Sequence, residues 1–196
     1  MENAGDAYMI SKIIGVAGRT CSGKSTAVNE MSKRYNNILH ISQDLFFKRS
    51  DTDEDLCWEK PECLRNDLLI DTLTKLKKGL PTNIPSKGWT EKCDRNIQPK
   101  DYIIVEGYLL FVNSKLRDLF DYKVWIDVSD VNLVSRRLQR DGNLKYIDKI
   151  LNVVLPYSKE YEQIQKPYAD NILDGNIPVD KISWELERLI RWHAPF

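Results

Sequence analysis

Short runs of aliphatic and β-branched residues alternate along the chain with stretches in which apolar positions recur at helical spacing. Strands are expected at 13–17, 38–42, 102–106 and 123–128, with a last short one at 171–173, and helices at 24–35, 66–78, 131–140, 145–165 and 179–192. In the 66–78 helix, Leu69, Leu73, Leu76 and Leu80 share a face and are expected in the core, with Gly79 as the stop signal. The 145–165 helix carries Ile147, Ile150, Leu151 and Val154 on one face and should kink or break at Pro156, whose ring and missing N–H disrupt the ladder. The closing helix aligns Ile182, Leu186, Leu189 and Ile190 on one stripe. Between 80 and 100 the Pro, Gly, Thr and Lys content predicts a loop or exposed hairpin, a place for substrate contacts. Strand and helix alternation of this kind predicts a parallel sheet covered by helices.

The turn after the first strand changes this from a fold to a site. Gly18-Arg19-Thr20-Cys21-Ser22-Gly23-Lys24-Ser25 satisfies G-x-x-x-x-G-K-[ST] at every fixed position, between a strand and a helix. Glycines let successive backbone N–H groups turn inward around phosphate oxygens. Lys24 then neutralises the β- and γ-phosphates, Ser25 offers a hydroxyl to Mg²⁺, and the helix starting there directs its positive end at the same anions. Gly18, Ser22, Gly23, Lys24, Ser25 and Thr26 are therefore the expected nucleotide-binding residues. The expected architecture is the α/β three-layer fold of P-loop NTPases, a five-stranded parallel sheet with helices on both faces.

Size and composition narrow the ligand. The 196 residues suit one buried core, read as a single domain over 12–196 behind a flexible leader at 1–11. That leader lacks the basic start and apolar core of a signal peptide, and no apolar run is long enough to span a bilayer. Lys+Arg and Asp+Glu balance at 29 each, without the basic excess of a nucleic-acid binder, so a small metabolite is the expected partner. Cys21, Cys57, Cys63 and Cys93 form no C-x-x-C pair, which indicates neither a zinc site nor a disulfide framework and fits a reducing cytoplasm. Oligomeric state stays open.

Three further features choose among nucleotide chemistries. Asp44 follows the second strand at the carboxyl edge that carries the phosphate loop, where a carboxylate can take a hydroxyl proton from an acceptor facing the γ-phosphate; the alternative is an acid that caps a turn. Glu106 ends the apolar run Ile103-Ile104-Val105 at the same edge, placed to hold Mg²⁺ directly or through water, or else to cap a helix or pair at the surface. Arg136, Arg137 and Arg140 fall on one helix, with Arg136 and Arg140 on a shared face. They are expected to close as a lid near 136–146 and to stabilise transferred charge, with Asp141-Gly142 as the hinge; a solvated charged face is the plainer reading.

The phosphate loop, Ser42-Gln43-Asp44-Leu45-Phe46-Phe47-Lys48, Trp58-Glu59-Lys60-Pro61-Glu62 and Ile104-Val105-Glu106-Gly107-Tyr108-Leu109-Leu110-Phe111 together resemble the uridine kinase and nicotinamide riboside kinase family over about 12–174. The resemblance implies transfer of the γ-phosphoryl of ATP, with Mg²⁺, to the 5′-hydroxyl of a ribonucleoside. It implies Asp44 as general base, Lys24 and Ser25 as phosphate and metal residues and Glu106 as the metal-linked acid. With Arg136 and Arg140 from the helix reading, the expected catalytic groups are Asp44, Lys24, Arg136 and Arg140, and the expected substrate residues are Asp44, Phe47, Trp58 and Glu59. Phe46-Phe47-Lys48, Trp58-Glu59 and Leu173-Asp174-Gly175 look more like nicotinamide riboside kinases, with Trp58 stacking on the base and Glu59 binding ribose hydroxyls. The family member aligned there usually carries Asp at the Glu59 position. Lys166-Pro167-Tyr168-Ala169-Asp170 and the segment after Gly79-Leu80-Pro81 look more like uridine kinases, although that segment offers Trp89 in place of the Tyr and His of their pyrimidine-binding hairpin. Trp58 and Trp89 also have a plain reading as packing residues. Nicotinamide riboside is the first expectation, uridine or cytidine the alternative, and a nucleotide-dependent switch or binding module the alternative of another class. The chain has no Asn-Lys-x-Asp guanine-reading motif, which speaks against a GTPase switch.

Overall fold

The computed structural model describes residues 11–48, 58–142 and 144–193. Within them the strands are β1 (Lys12–Gly18), β2 (Ile38–Ser42), β3 (Thr82–Ile84), β4 (Arg95–Ile97), β5 (Tyr102–Gly107), β6 (Tyr122–Asp127) and β7 (Asn171–Asp174). The helices are α1 (Lys24–Arg34), α2 (Asn66–Lys77), α3 (Ser114–Arg117), α4 (Asp130–Asp141), α5 (Ile147–Lys149), α6 (Leu155–Gln165) and α7 (Val179–His193). Five strands form one sheet in the order β2-β5-β1-β6-β7, and every pairing in it is parallel. The expected α/β three-layer fold is the one observed.

Alternation along the strands builds both layers of core. Ile13 and Ala17 of β1 with Ile103 and Val105 of β5 face Leu69, Leu73 and Leu76 of α2 and Leu116 of α3. Ile14 and Val16 with Ile104, Val124 and Ile126 face Ala27, Val28 and Met31 of α1 and Ile182, Leu186 and Ile190 of α7. Because both faces of the sheet are covered, its strands read as nearly continuous apolar runs. Burying a large aliphatic side chain contributes roughly 1.5–3 kcal/mol, so these two layers hold the carboxyl edge of the sheet in place.

Two expectations shift, one at Leu80 and one in the 145–165 helix. Leu80 is not in the core: it lies beyond α2, past Gly79, where the chain has left the helix axis, and it is 47% exposed. The long helix at 145–165 is not continuous but runs through Leu144–Tyr146, α5, a π-helical turn at Ile150–Val154 and then α6. Pro156 sits in the first turn of α6, where its missing N–H is tolerated, and the wider turn just before it bonds Leu155 N–H to Ile150 O. The additional residue in that turn rotates the face, so Ile150 and Val154 are buried while Leu151 is exposed. The 80–100 segment is a hairpin, with β3 and β4 antiparallel and Ile84 and Ile97 packed into the α2 side of the core. Of the expected leader at 1–11, residues 1–10 lie outside the described residues, while Ser11 is buried, its hydroxyl donating to Leu76 O at 3.3 Å.

Candidate phosphoryl-transfer site

β1, β2 and β5 end together, with Val16 and Ser42 both in register with Glu106. The phosphate loop leaves β1 at this edge and enters α1. Gly23, the N-cap of α1, has φ 95°, a left-handed conformation that an L side chain would strain, and no side chain caps the helix. The N–H groups of the first turn are thereby free for an anion. Lys24 Nζ donates to Arg19 O at 3.0 Å, and burial lowers its pKa, an effect that the Glu106 and Asp44 carboxylates partly offset. Ser22 Oγ is buried without a hydrogen-bond partner, while Ser25 and Thr26 are exposed.

Ser25 Oγ donates to Glu106 Oε2 at 2.8 Å, and Glu106 is only 2% exposed. Burial alone would raise the Glu106 pKa, but His40, Lys24, Ser42 and Ser25 outweigh it and hold the carboxyl below its ordinary value. The pair offers hard oxygen donors at one point. Mg²⁺ takes few protein ligands and completes its shell with phosphates and water, so Ser25 and Glu106 fit that ion. Among the described residues no group of three or more His, Cys, Asp and Glu side chains forms a metal cage.

Asp44 lies on the 3₁₀ turn Gln43–Phe46, whose N-cap Ser42 accepts the Asp44 N–H with its Oγ. Gln43 is buried, and its Oε1 accepts from Leu109 N–H at 3.0 Å, binding the turn to the segment after β5. On the opposite side the hairpin tip closes against the turn. A Cβ on Gly88 would lie 2.5 Å from Asp44 O, so only glycine allows this approach. Asp44 is open to solvent yet densely surrounded by protein, and its pKa is raised, first by that surrounding and then by Glu106, against the pull of Lys24, Arg140 and Arg137.

The hairpin and the 58–59 segment meet. Trp58 packs edge-on against Phe47 and against Trp89, with ring centroids at 5.8 and 5.6 Å. Trp89 N–H donates to Phe47 O at 3.3 Å, and Trp89 has φ 59° and remains 55% exposed. Held on a strained backbone next to Gly88, the exposed Trp89 indole presents aromatic surface to a ligand. Glu59 next to Trp58 has its pKa raised by burial, opposed by Arg137, and it holds the Tyr108 hydroxyl well above its ordinary value together with that group's own burial.

The three arginines of α4 divide by what they touch. Arg136 donates to Cys21 O at 3.2 Å and Gly175 O at 2.7 Å, fastening α4 to the phosphate loop. Arg137 donates to Thr20 Oγ1 at 3.0 Å and pairs with Asp141 at 2.8 Å; Arg140 pairs with Asp141 at 3.2 Å. The charges of Arg137 and Arg140 both act on Asp44, and those of Arg137 and Arg140 on Glu59. Sequence spacing had paired Arg136 with Arg140; the structure instead brings Arg137 with Arg140 toward the acids. Sequence reasoning also passed over Arg19, a buried guanidinium inside the loop, although a bulky charge in a glycine-bordered anion loop is itself a signal.

Residues 13–179 match the phosphoribulokinase/uridine kinase family. Similar proteins include a uridine kinase of Staphylococcus haemolyticus, 31% identical over 91% of this chain and 96% of the relative, and one of Staphylococcus carnosus, 32% identical over the same shares. Solved structures with the same fold include a protein described as a possible uridine kinase from Bacillus stearothermophilus, TM-score 0.61 at 18% identity over 89% of this chain and 91% of that one. A shikimate kinase from Acinetobacter baumannii in complex with shikimate has TM-score 0.55 at 11% identity over 96% and 97% of the two chains. At such identities these two speak for the fold alone. The family match covers the phosphate loop, the Asp44 turn, the 58–59 segment, Glu106 and α4, and the chain belongs to the phosphoribulokinase/uridine kinase family, as a phosphotransferase of the nucleoside-kinase kind.

Proposed function

We propose that the protein transfers the γ-phosphoryl group of ATP to the 5′-hydroxyl of a pyrimidine ribonucleoside, uridine or cytidine. The observation that carries this reading is the placement of Asp44 between the Phe47–Trp58–Trp89 cluster and the Lys24–Ser25–Glu106 group. The earlier preference for nicotinamide riboside gains no support from the relatives, which are named uridine kinases. One feature keeps it as a second reading: its pyridinium cation suits an aromatic cluster with the Glu59 carboxylate beside it.

In this mechanism the base stacks in the aromatic cluster and the ribose lies toward Glu59. Asp44 accepts the 5′-hydroxyl proton as that oxygen bonds to the γ-phosphorus, and ADP leaves with the electrons of the broken P–O bond. Lys24, Arg137 and Arg140 balance the charge spread over the transferred group. Ser25 and Glu106 would hold Mg²⁺, which neutralises phosphate charge when bound. Cys21 and Cys93 carry free thiols, in keeping with work in a reducing cytoplasm.

The test is ADP release with Mg·ATP and uridine, cytidine, nicotinamide riboside, adenosine or no acceptor. Turnover should depend strongly on uridine or cytidine. Trp58→Ala and Trp89→Ala should each raise the acceptor KM by about fivefold or more, as loss of base stacking costs about 1–3 kcal/mol. Preference for nicotinamide riboside would select the second reading. Release indifferent to acceptor would point to a nucleotide switch or binding module.

A further inference from the structure

His40 has no part in the mechanism above, yet its imidazole faces the metal-side carboxylate. β2 is an edge strand paired to β5, with His40 in register with Ile104 and Ser42 with Glu106. By alternation His40, Ser42 and Glu106 project from the same face of the sheet. His40 Nε2 is buried without a hydrogen-bond partner and lies 3.7 Å from Glu106 Oε1. The other carboxylate oxygen, Oε2, is the one held by Ser25. Leaving a buried donor unpaired is costly, and a shift of about 1 Å brings this pair within hydrogen-bond distance.

We propose that His40 is a positioning residue for Glu106: it donates Nε2–H to Oε1 and fixes which oxygen turns toward Ser25 and the ion that the two would hold. The proposal rests on the reading of Ser25 and Glu106 as the magnesium-binding pair. When the Ser25 oxygen turns toward a cation, its hydroxyl hydrogen no longer secures Oε2. The last torsion of a Glu side chain is broad and nearly two-fold, so a carboxylate without a second donor can swing away. His40 supplies that second donor from the strand on the other side of β5 from the phosphate loop, and a neutral imidazole with its hydrogen on Nε2 is sufficient. Outer partners that orient metal-binding carboxylates typically matter by 10–100-fold in metal affinity.

The test measures ATP affinity by calorimetry over a MgCl₂ series for wild type, His40→Ala and His40→Gln, with the metal-free affinity as internal reference and Tm recorded in EDTA. His40→Ala should raise the magnesium concentration that half-saturates the gain in ATP affinity by about tenfold. His40→Gln, whose amide N–H reaches the region of Nε2, should recover most of it. A fall in Tm with unchanged magnesium requirement would make His40 a packing residue and overturn the proposal, as would equal behaviour of the Ala and Gln variants. A wild-type affinity indifferent to magnesium would remove the metal reading of Ser25 and Glu106 and this proposal with it. Acceptor choice does not enter the measurement, so failure of the nucleoside reading in the ADP-release panel is a separate result.

Discussion

Asp44→Asn should lower kcat by about 10²–10⁴, the usual contribution of a positioned general base, leave ATP binding intact and raise thermal stability at neutral pH. The first effect follows from geometry: the carboxylate sits between the aromatic cluster and the phosphate-loop lysine, and asparagine keeps the shape but cannot accept the proton. The backbone N–H that Ser42 caps is unchanged by the substitution. The stability effect follows from the raised pKa, caused first by surrounding protein and then by Glu106. A carboxyl whose folded-state pKa exceeds its unfolded value contributes stability that is present below the unfolded value and lost as pH rises through the folded one. At neutral pH Asp44 therefore contributes less stability than at low pH, a deficit that asparagine relieves. The same direction places the acidic limb of the wild-type kcat/KM profile above the ordinary Asp value of about 3.9. Glu106 is shifted the opposite way, below its ordinary value. Single-turnover kinetics and calorimetric melts near pH 7 and pH 4 check both halves. Near-normal turnover in the variant would remove Asp44 as the base, and a lower neutral-pH Tm would contradict the electrostatic account.

The sequence made the sheet legible because each strand is buried on both faces, and such strands announce themselves as apolar runs. Strand 38–42 is observed with those bounds, and α1, α2, α4, β5, β6 and α7 differ from expectation by a residue at one or both ends. Glu106 and Asp44 were placed correctly at the carboxyl edge, since a parallel sheet brings every strand end to one side. The π-helical turn was not legible. Periodicity assumes an α-helical register, and Pro156 announces a break without saying on which side the ladder yields. The partnering of Trp58 with Trp89 was likewise hidden, because the residues are far apart in sequence and joined only through the hairpin fold.

Side-chain assignments within the site were less legible than the backbone that carries them. Helical spacing groups Arg136 with Arg140, but which arginine reaches the acids depends on where α4 docks. That docking is set by Arg136 itself, which takes two backbone carbonyls at the loop and at Gly175. Arg136 thus acts through position, leaving Arg137 and Arg140 to supply charge at Asp44. Gln43 and Gln165 show the same division of labour. Each uses its amide to hold the segment after β5, through Leu109 N–H and through Phe111 N–H with Tyr108 O; the motif around Asp44 contains Gln43 without saying that it turns inward, and Gln165 lies in no motif.

Arg19→Ala should destabilise the fold by about 3 kcal/mol, toward the lower end of the range for breaking a buried ion pair, and raise the KM for ATP. The guanidinium is 3% exposed and spans three elements. It donates to Ser158 Oγ at 2.9 and 3.1 Å and to Val128 O at 3.2 Å, and pairs with Asp130 at 2.7 Å and Glu162 at 3.5 Å. Its own carbonyl accepts from Lys24 Nζ. One residue therefore ties the phosphate loop to the start of α4 and to α6, and links that frame to Lys24. Alanine removes the fork and leaves Ser158 and Val128 O without it. The cost stays near the lower end because Asp130 retains Lys159 at 2.7 Å and Glu162 retains Lys166 at 3.1 Å. At about 2–4 °C per kcal/mol for a chain of this size, Tm should fall by about 6–12 °C. Arg19→Lys keeps the charge but not the planar fork, and should recover only part of both the stability and the ATP affinity. Melting curves with and without Mg·ATP, alongside KM for ATP, separate the frame from the site. If the alanine variant melts like wild type, Arg19 is not the tie described; if it melts low but binds ATP normally, the loop holds its shape without α6.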